Sequence, residues 1–265
     1  MNLDLSGKNA FVGGSSKGIG KAVAFELARL GANVTMVGRD EQALMQNLID
    51  LSFIANSEQR FDYIAVDFSN ADKVRAAVER HMKKNARTYH ILVNNTGGPA
   101  AGRVQDAKED EFVKAFEQHL LVNHALTTMF MEGMKQSGYG RIVNVISTSV
   151  KQPLANLGVS NTIRGAVANW AKTMANELGE FGITVNNVLP GATETDRHFA
   201  LINAKAEKTG QSKEAIEADM LRTIPLKRFG KPEEVANAVA FLCSPAAAYI
   251  NGINVPVDGG RTASL

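Results

Sequence analysis

Four glycines near the start of the chain, Gly13, Gly14, Gly18 and Gly20, stand directly after the apolar run Ala10-Phe11-Val12. Glycine at such positions permits a sharp turn and lets backbone amides come close to a negatively charged group. Ile19, Val23 and Leu27 then recur at helical spacing, so the turn leads onto a helix N-terminus, where the peptide dipoles favour phosphate. Glycines between a first strand and a first helix are what a dinucleotide pyrophosphate requires. A glycine cluster elsewhere would be an ordinary turn, so the placement carries the reading.

The elements that position this turn follow from periodicity. Short β-branched runs at 10–12, 34–37, 63–66, 91–93, 142–146, 184–189 and 253–257 predict seven strands. Longer amphipathic stretches over 42–55, around 74–81, 111–136 and 159–181 predict helices between them. Strands alternating with helices give parallel pairing with crossover helices, and apolar strands without alternation are covered on both faces. The expected product is one α/β domain over 1–265, a doubly wound, mostly parallel seven-stranded sheet of Rossmann type with helices on both faces. Such sheets bind ligands beyond the carboxyl ends of their strands. A charged stretch at about 193–225, rich in Lys, Glu and Ala, leaves one of those ends and is long for a connection. It reads as helices forming a lid over the site, with a solvated insertion as the alternative.

Bulk properties narrow the classes. The 265 residues are 45% apolar and 21% charged, with a net charge of +2, which gives no footprint for nucleic acid or an anionic membrane. The single cysteine, Cys243, excludes an internal disulfide and an all-cysteine metal site, and no metal is expected. Residues 1–8 lack the basic start and apolar run of a signal peptide, and no stretch suits a bilayer span, so a cytoplasmic location is expected.

Several ordered motifs resemble the short-chain dehydrogenase/reductase family. Gly14-x-x-x-Gly18-x-Gly20 resembles its nucleotide turn, although Gly13 stands where the family usually has threonine. Asp67, next to Phe68, follows the third strand, where the family's aspartate contacts adenine. Asn94-Asn95-Thr96-Gly97 resembles its Asn-Asn-Ala-Gly. Gly140-Arg141-Ile142-Val143-Asn144 resembles the entry to its fifth strand. Pro190-Gly191, with Thr193 and Thr195, resembles the segment that contacts nicotinamide. Gly252 and Val257-Asp258-Gly259-Gly260 resemble its C-terminal end. The resemblance spans nearly the whole chain and implies a cofactor site of Gly14, Ser15, Ser16, Lys17, Gly18, Ile19, Gly20, Arg39, Asp67, Phe68, Asn94, Asn95, Gly97, Arg164, Pro190, Gly191, Thr193 and Thr195.

The end of the second strand sets cofactor preference. An acidic residue there would bind the ribose 2′-hydroxyl of NAD, and a cation the 2′-phosphate of NADP. This chain has Gly38-Arg39, and Lys17 lies inside the glycine turn. The pair favours NADP(H), with NAD(H) as the alternative because Asp40 follows.

The family's usual catalytic set is asparagine, serine, tyrosine and lysine. Ser147 matches the serine, which orients the substrate oxygen. Ser160 falls at the tyrosine that exchanges the proton, Arg164 at the lysine that holds the nicotinamide ribose, and His119 at the asparagine of the proton relay. A phenol titrates near 10 and can exchange protons with help, whereas an aliphatic hydroxyl is a far weaker acid. Arginine keeps its proton at working pH and cannot relay it. The pattern resembles a divergent, 3-ketoacyl-reductase-like branch in which serine and arginine take these two places. Lys151, four residues past Ser147, can supply a proton or an electrostatic contact, or be an exposed loop lysine. His119 titrates in the right range for a relay, or fills the core as a hydrogen-bonded histidine. His198, at the start of the lid, is a further candidate for substrate contact.

Two functional classes follow. One is an NADP(H)-dependent oxidoreductase acting on a small carbonyl compound or secondary alcohol through an atypical site. The other is a non-catalytic dinucleotide-binding sensor or partner subunit, which the altered positions also fit. The resemblance implies a homodimer or homotetramer built on the helices from Glu111 and Val159 and on the segment from Tyr249 to Gly260.

Overall fold

A computed structural model describes residues 1–264. Its strands are β1 (Asn9–Gly13), β2 (Asn33–Gly38), β3 (Phe61–Ala65), β4 (Ile91–Asn94), β5 (Gly140–Val145), β6 (Ile183–Pro190) and β7 (Asn254–Val257). The helices are α1 (Gly18–Arg29), α2 (Glu41–Ser52), α3 (Ala71–Asn85), α4 (Glu109–Phe116), α5 (Val122–Ser137), α6 (Gly158–Leu178), α7 (Asp196–Thr209), α8 (Lys213–Arg222) and α9 (Pro232–Cys243). The strands form one sheet in the order β3-β2-β1-β4-β5-β6-β7. Every pairing is parallel, so the sheet is wholly rather than mostly parallel. The order reverses between β1 and β4, which opens a crevice at their carboxyl ends.

Two apolar layers cover the sheet. On one face Val23 and Leu27 of α1, Leu44 and Leu51 of α2 and Val235 to Cys243 of α9 pack on Val12, Val34 and Val143. On the other, Val74 and Val78 of α3, Phe130 and Met134 of α5 and Met174 and Leu178 of α6 pack on Phe11, Leu92 and Ile142. Burial on both faces explains why β4 and β5 read as unbroken apolar runs. Four of the polar exceptions form a row. Asn94, Asn144, Asn187 and Asn254 stand opposite each other on β4 to β7, and each side-chain amide donates to the next carbonyl oxygen at 2.8, 2.9 and 2.8 Å.

The sequence reading differs in two places. The helix expected over 111–136 is α4 and α5 joined by one wider π-turn, Glu117–Leu121, which carries His119. Such turns displace one residue from the helical register and recur at functional sites. Helix α9 was not anticipated, although Lys231-Pro232 followed by Glu233-Glu234 is a helix-start signal. The stretch after β6 forms α7 and α8, and its neck is closed by a bridge between Thr193 and Gly230. No helix among the described residues is long and apolar enough to cross a membrane.

Candidate active site

The glycine turn is held from two sides. The Asn95 side-chain amide, arriving from the end of β4, donates to the carbonyl oxygens of Gly13 and Gly14 at 3.0 and 3.4 Å. The buried Asn47 amide of α2 donates to the carbonyls of Ser15 and Ser16 at 3.1 and 3.0 Å. This close approach leaves no space for side chains. A Cβ on Gly14, whose φ is +60°, would lie 2.7 Å from Asn95 Nδ2, and one on Gly20 would run into the Gly14 carbonyl oxygen. A Cβ on Gly13 would meet the Asn95 carbonyl oxygen at 2.8 Å and the Phe68 ring at 3.3 Å, so the family's threonine has no room here.

Beyond the turn, α1 begins with no capping side chain and no acidic residue in its first turn. Helices α2, α3, α7 and α8 are instead capped by Asp40, Asn70, Thr195 and Ser212. An uncapped N-terminus at the switch point leaves its first N–H groups for an anion. The tight glycine turn and these amides both fit a dinucleotide pyrophosphate.

Three of the expected cofactor residues turn their side chains inward. Ser15 is fully buried: its hydroxyl donates to Val12 O at 3.0 Å and accepts from Val37 N at 2.8 Å, and its own N–H donates to Val37 O. It ties the turn to β2 and has no donor left for phosphate. Phe68 is buried in the core beneath the turn. Asn94 commits its amide to Asn144 in the sheet.

The other expected residues surround the crevice. Arg39 is exposed and lies 3.9 Å from the Asp67 carboxylate, which also accepts from Ser69 N. Lys17 pairs with Asp196 of α7 at 3.1 Å. Gly97 borders open space. Ile19 is half-buried and packs on the core. Gly191 lies against β7, where a Cβ would come 2.7 Å from Asp258 Cα. Pro190 ends β6, and Thr193 is buried with its hydroxyl 3.4 Å from Gly191 O. Thr195 caps α7, accepting from His198 N at 3.3 Å, and packs on Gly18.

The catalytic candidates stand on neighbouring elements. Ser147, at the end of β5, accepts from Ser149 N at 3.1 Å, so its own O–H is free to donate. Lys151 follows one short turn later, half-buried, with no carboxylate within 4.0 Å among the described residues. Ser160 and Arg164 lie one turn apart on α6 and share a face. Arg164 is only 7% exposed; Nη1 donates to Val145 O at 3.2 Å, and Nε has no partner. Burial, then the charge of Arg197, pulls its pKa down to about 10, so it stays charged at working pH.

His119 departs from expectation. It is buried, Nδ1 shares a hydrogen bond with the Thr96 hydroxyl at 2.8 Å, and Nε2 has no partner. Burial, then the charges of Arg164 and Arg197, pushes its pKa down to about 2. The imidazole is neutral at working pH and does not titrate in the range a relay needs. His198 is also buried, edge-on to the Phe229 ring at 4.5 Å, with Nε2 unpartnered. Cys243 is buried and its thiol is raised to about 12, so it takes no part in chemistry. No cluster of metal-ligating residues occurs among the described residues.

Two residues on this rim escaped the sequence reading. Asn47 occupies an apolar position of α2, between Leu44 and Leu51, and a polar residue at that spacing was the available signal. Arg197 carried none; only the fold brings it to the loop after β4, where it donates to the carbonyls of Gly98 and Pro99 at 2.8 Å each.

Comparison with known proteins agrees with this geometry. A family model described as Enoyl-(Acyl carrier protein) reductase matches residues 14–262. The chain is 34% identical over 260 residues to the 3-oxoacyl-[acyl-carrier-protein] reductase FabG of Pseudomonas aeruginosa, covering 97% of this chain and 98% of that one. It is 30% identical over 261 residues to the NADPH-dependent reductase BacG of Bacillus subtilis, covering 98% and 100%. Its structure is similar to that of L-sorbose reductase from Gluconobacter frateurii, solved with NADPH and L-sorbose, with a TM-score of 0.92, 30% identity and full coverage of both chains.

Proposed function

The chain belongs to the short-chain dehydrogenase/reductase family, and on that premise we propose that it is an NADP(H)-dependent oxidoreductase that reduces a small carbonyl compound, or oxidises the corresponding alcohol, by an altered proton route. The observation that carries this is the glycine turn after β1, still held by Asn95, in the same sheet whose β5 ends at a free Ser147 hydroxyl. The backbone of Gly14, Ser16, Lys17, Gly18, Ile19 and Gly20 would hold the pyrophosphate. Lys17 and Arg39 would read the 2′-phosphate, Asp67 the adenine, and Asn95, Gly97, Pro190, Gly191, Thr193 and Thr195 the nicotinamide end. When bound, the nicotinamide supplies or accepts hydride.

The protein's own residues would do the rest. Ser147 donates to the carbonyl oxygen and orients it. Arg164 stabilises negative charge on the bound substrate, or holds the ribose, but gives up no proton. Ser160, an aliphatic alcohol, is too weak an acid to replace a phenol and serves as a hydrogen-bonding neighbour. Lys151 delivers the proton and recovers it from water. His119 and Thr96 fix the wall facing Arg164. The two lid helices, tied to the glycine turn through Lys17 and Thr195, would cover the reacting atoms. Exposed Val113, Phe116 and Leu121 near the π-turn support assembly into a homodimer or homotetramer.

The test is NADPH consumption over a carbonyl panel, compared with NADH and repeated with Lys151→Ala. NADPH-selective turnover that Lys151→Ala slows supports this reading. The second reading, a non-catalytic dinucleotide binder, is favoured by Ser160 and Arg164 standing where the family has its tyrosine and lysine. It predicts tight NADPH binding without consumption.

A further inference from the structure

Arg164 and Arg197 approach one another from different parts of the fold, α6 and the first turn of the lid helix α7. The position that a Cβ on Gly98 would take lies 3.0 Å from Nη2 of Arg197 and 3.6 Å from Nη2 of Arg164. No carboxylate lies within 4.0 Å of either guanidinium among the described residues, although nine other ion pairs form. Arg164 is buried with Nε unpartnered, and Arg197 is anchored only to two carbonyl oxygens. Arg164 is buried and Arg197 exposed beside it; burial first, then the like charge of Arg197, pulls the Arg164 pKa down.

An arrangement of this kind is completed by an anion. Ribose hydroxyls are neutral and cannot balance two charges. The pyrophosphate has the glycine turn, and the 2′-phosphate has Lys17 and Arg39. The remaining anion is on the substrate, and a planar guanidinium fork matches a carboxylate. We propose that Arg164 and Arg197 together receive a carboxylate, so that the substrates are oxo acids rather than neutral ketones. Because Arg197 belongs to the lid and Arg164 to the body, the carboxylate would also bind the lid in place. The oxo part of this assignment rests on the reductase reading; the carboxylate site does not.

The experiment has a binding arm and a turnover arm. Malonate is titrated calorimetrically into the NADP+-saturated protein, for the unaltered chain, Arg197→Gln and Arg197→Lys. Malonate binding that weakens about 10- to 100-fold in Arg197→Gln and partly recovers in Arg197→Lys is the expected result. NADPH affinity, measured alongside, should stay within about twofold in both variants. Turnover of a panel of oxo acids is then compared with that of their methyl esters. The acids should be preferred, and Arg197→Gln should erase the preference. Absence of malonate binding, equal binding by Arg197→Gln, or an NADPH loss as large as the malonate loss overturns the proposal. If no carbonyl is reduced, the reductase reading fails, while the malonate arm still decides the carboxylate site. If Arg197→Gln does not fold, Gly98→Ala, which crowds Arg197 Nη2, replaces it.

Discussion

The ammonium of Lys17, in the glycine turn, lies 3.1 Å from the carboxylate of Asp196, in the first turn of α7. Asp196 therefore competes with any phosphate for the cation expected to select NADP(H). Asp196→Asn should tighten NADPH binding a few-fold at low salt and less at high salt, because both groups are exposed and screened. Lys17→Ala should weaken NADPH and leave NADH nearly unchanged. Fluorescence titration of both nucleotides at two ionic strengths measures this, and equal losses for the two would remove Lys17 from the 2′-phosphate site.

Gly20 packs directly against the Gly14 carbonyl with the Asn95 amide alongside. A methyl group there must displace backbone, which costs roughly 1–3 kcal/mol in an overpacked site. Gly20→Ala should lower the melting temperature and abolish NADPH binding together, whereas Gly97→Ala, which meets open space, should do neither to the same degree.

The asparagine row across β4 to β7 depends on its central members. Asn144→Ala removes the acceptor for Asn94 and the donor for Asn187, leaving two buried amides short of partners. Each such group costs about 1–3 kcal/mol, so denaturant unfolding should show a loss of roughly 2–6 kcal/mol. Asn254→Ala, at the end of the row, should cost less.

His119 sets a pH dependence of stability. Its folded pKa, about 2, lies below the unfolded value near 6.5, so the unfolded chain binds the extra proton between them. Its contribution is therefore fully present above about pH 6.5 and is lost as pH falls, at up to ~1.4 kcal/mol per pH unit. His81, His90 and His198 are lowered by burial and act in the same direction. His119→Asn should flatten the fall in melting temperature between about pH 6.5 and 4.5, before carboxylates protonate. An unchanged slope would mean that His119 is charged in the folded protein.

The sheet, the glycine turn and the helical nature of the stretch after β6 were legible in the sequence because each rests on local pattern. Apolar runs of strand length recur between amphipathic helices, and glycines mark where chains meet closely. Side-chain direction was not legible. Ser15, Phe68 and Asn94 sit inside the right motifs, yet their side chains point into the β2 edge, the core and the sheet. Nor does sequence give the electrostatic setting of a residue. An imidazole at His119 suggests titration near neutrality, but burial first, then two neighbouring guanidinium groups, keeps it neutral. Arg197 was invisible because its importance depends on Gly98, almost a hundred positions away in the chain and adjacent only in the fold.

Deuteride transfer decides whether bound NADPH reduces a carbonyl on this protein. The protein would be incubated with NADPH deuterated at one or the other face of the nicotinamide C4, together with oxo-acid and ketone panels, and products would be analysed by mass spectrometry. One deuterium is expected on the former carbonyl carbon from one labelled face only, with transfer slowed about 10- to 1000-fold in Ser147→Ala while NADPH still binds. No deuterium in any product from either face, with NADPH bound tightly, would contradict it and leave a dinucleotide-binding protein without hydride transfer.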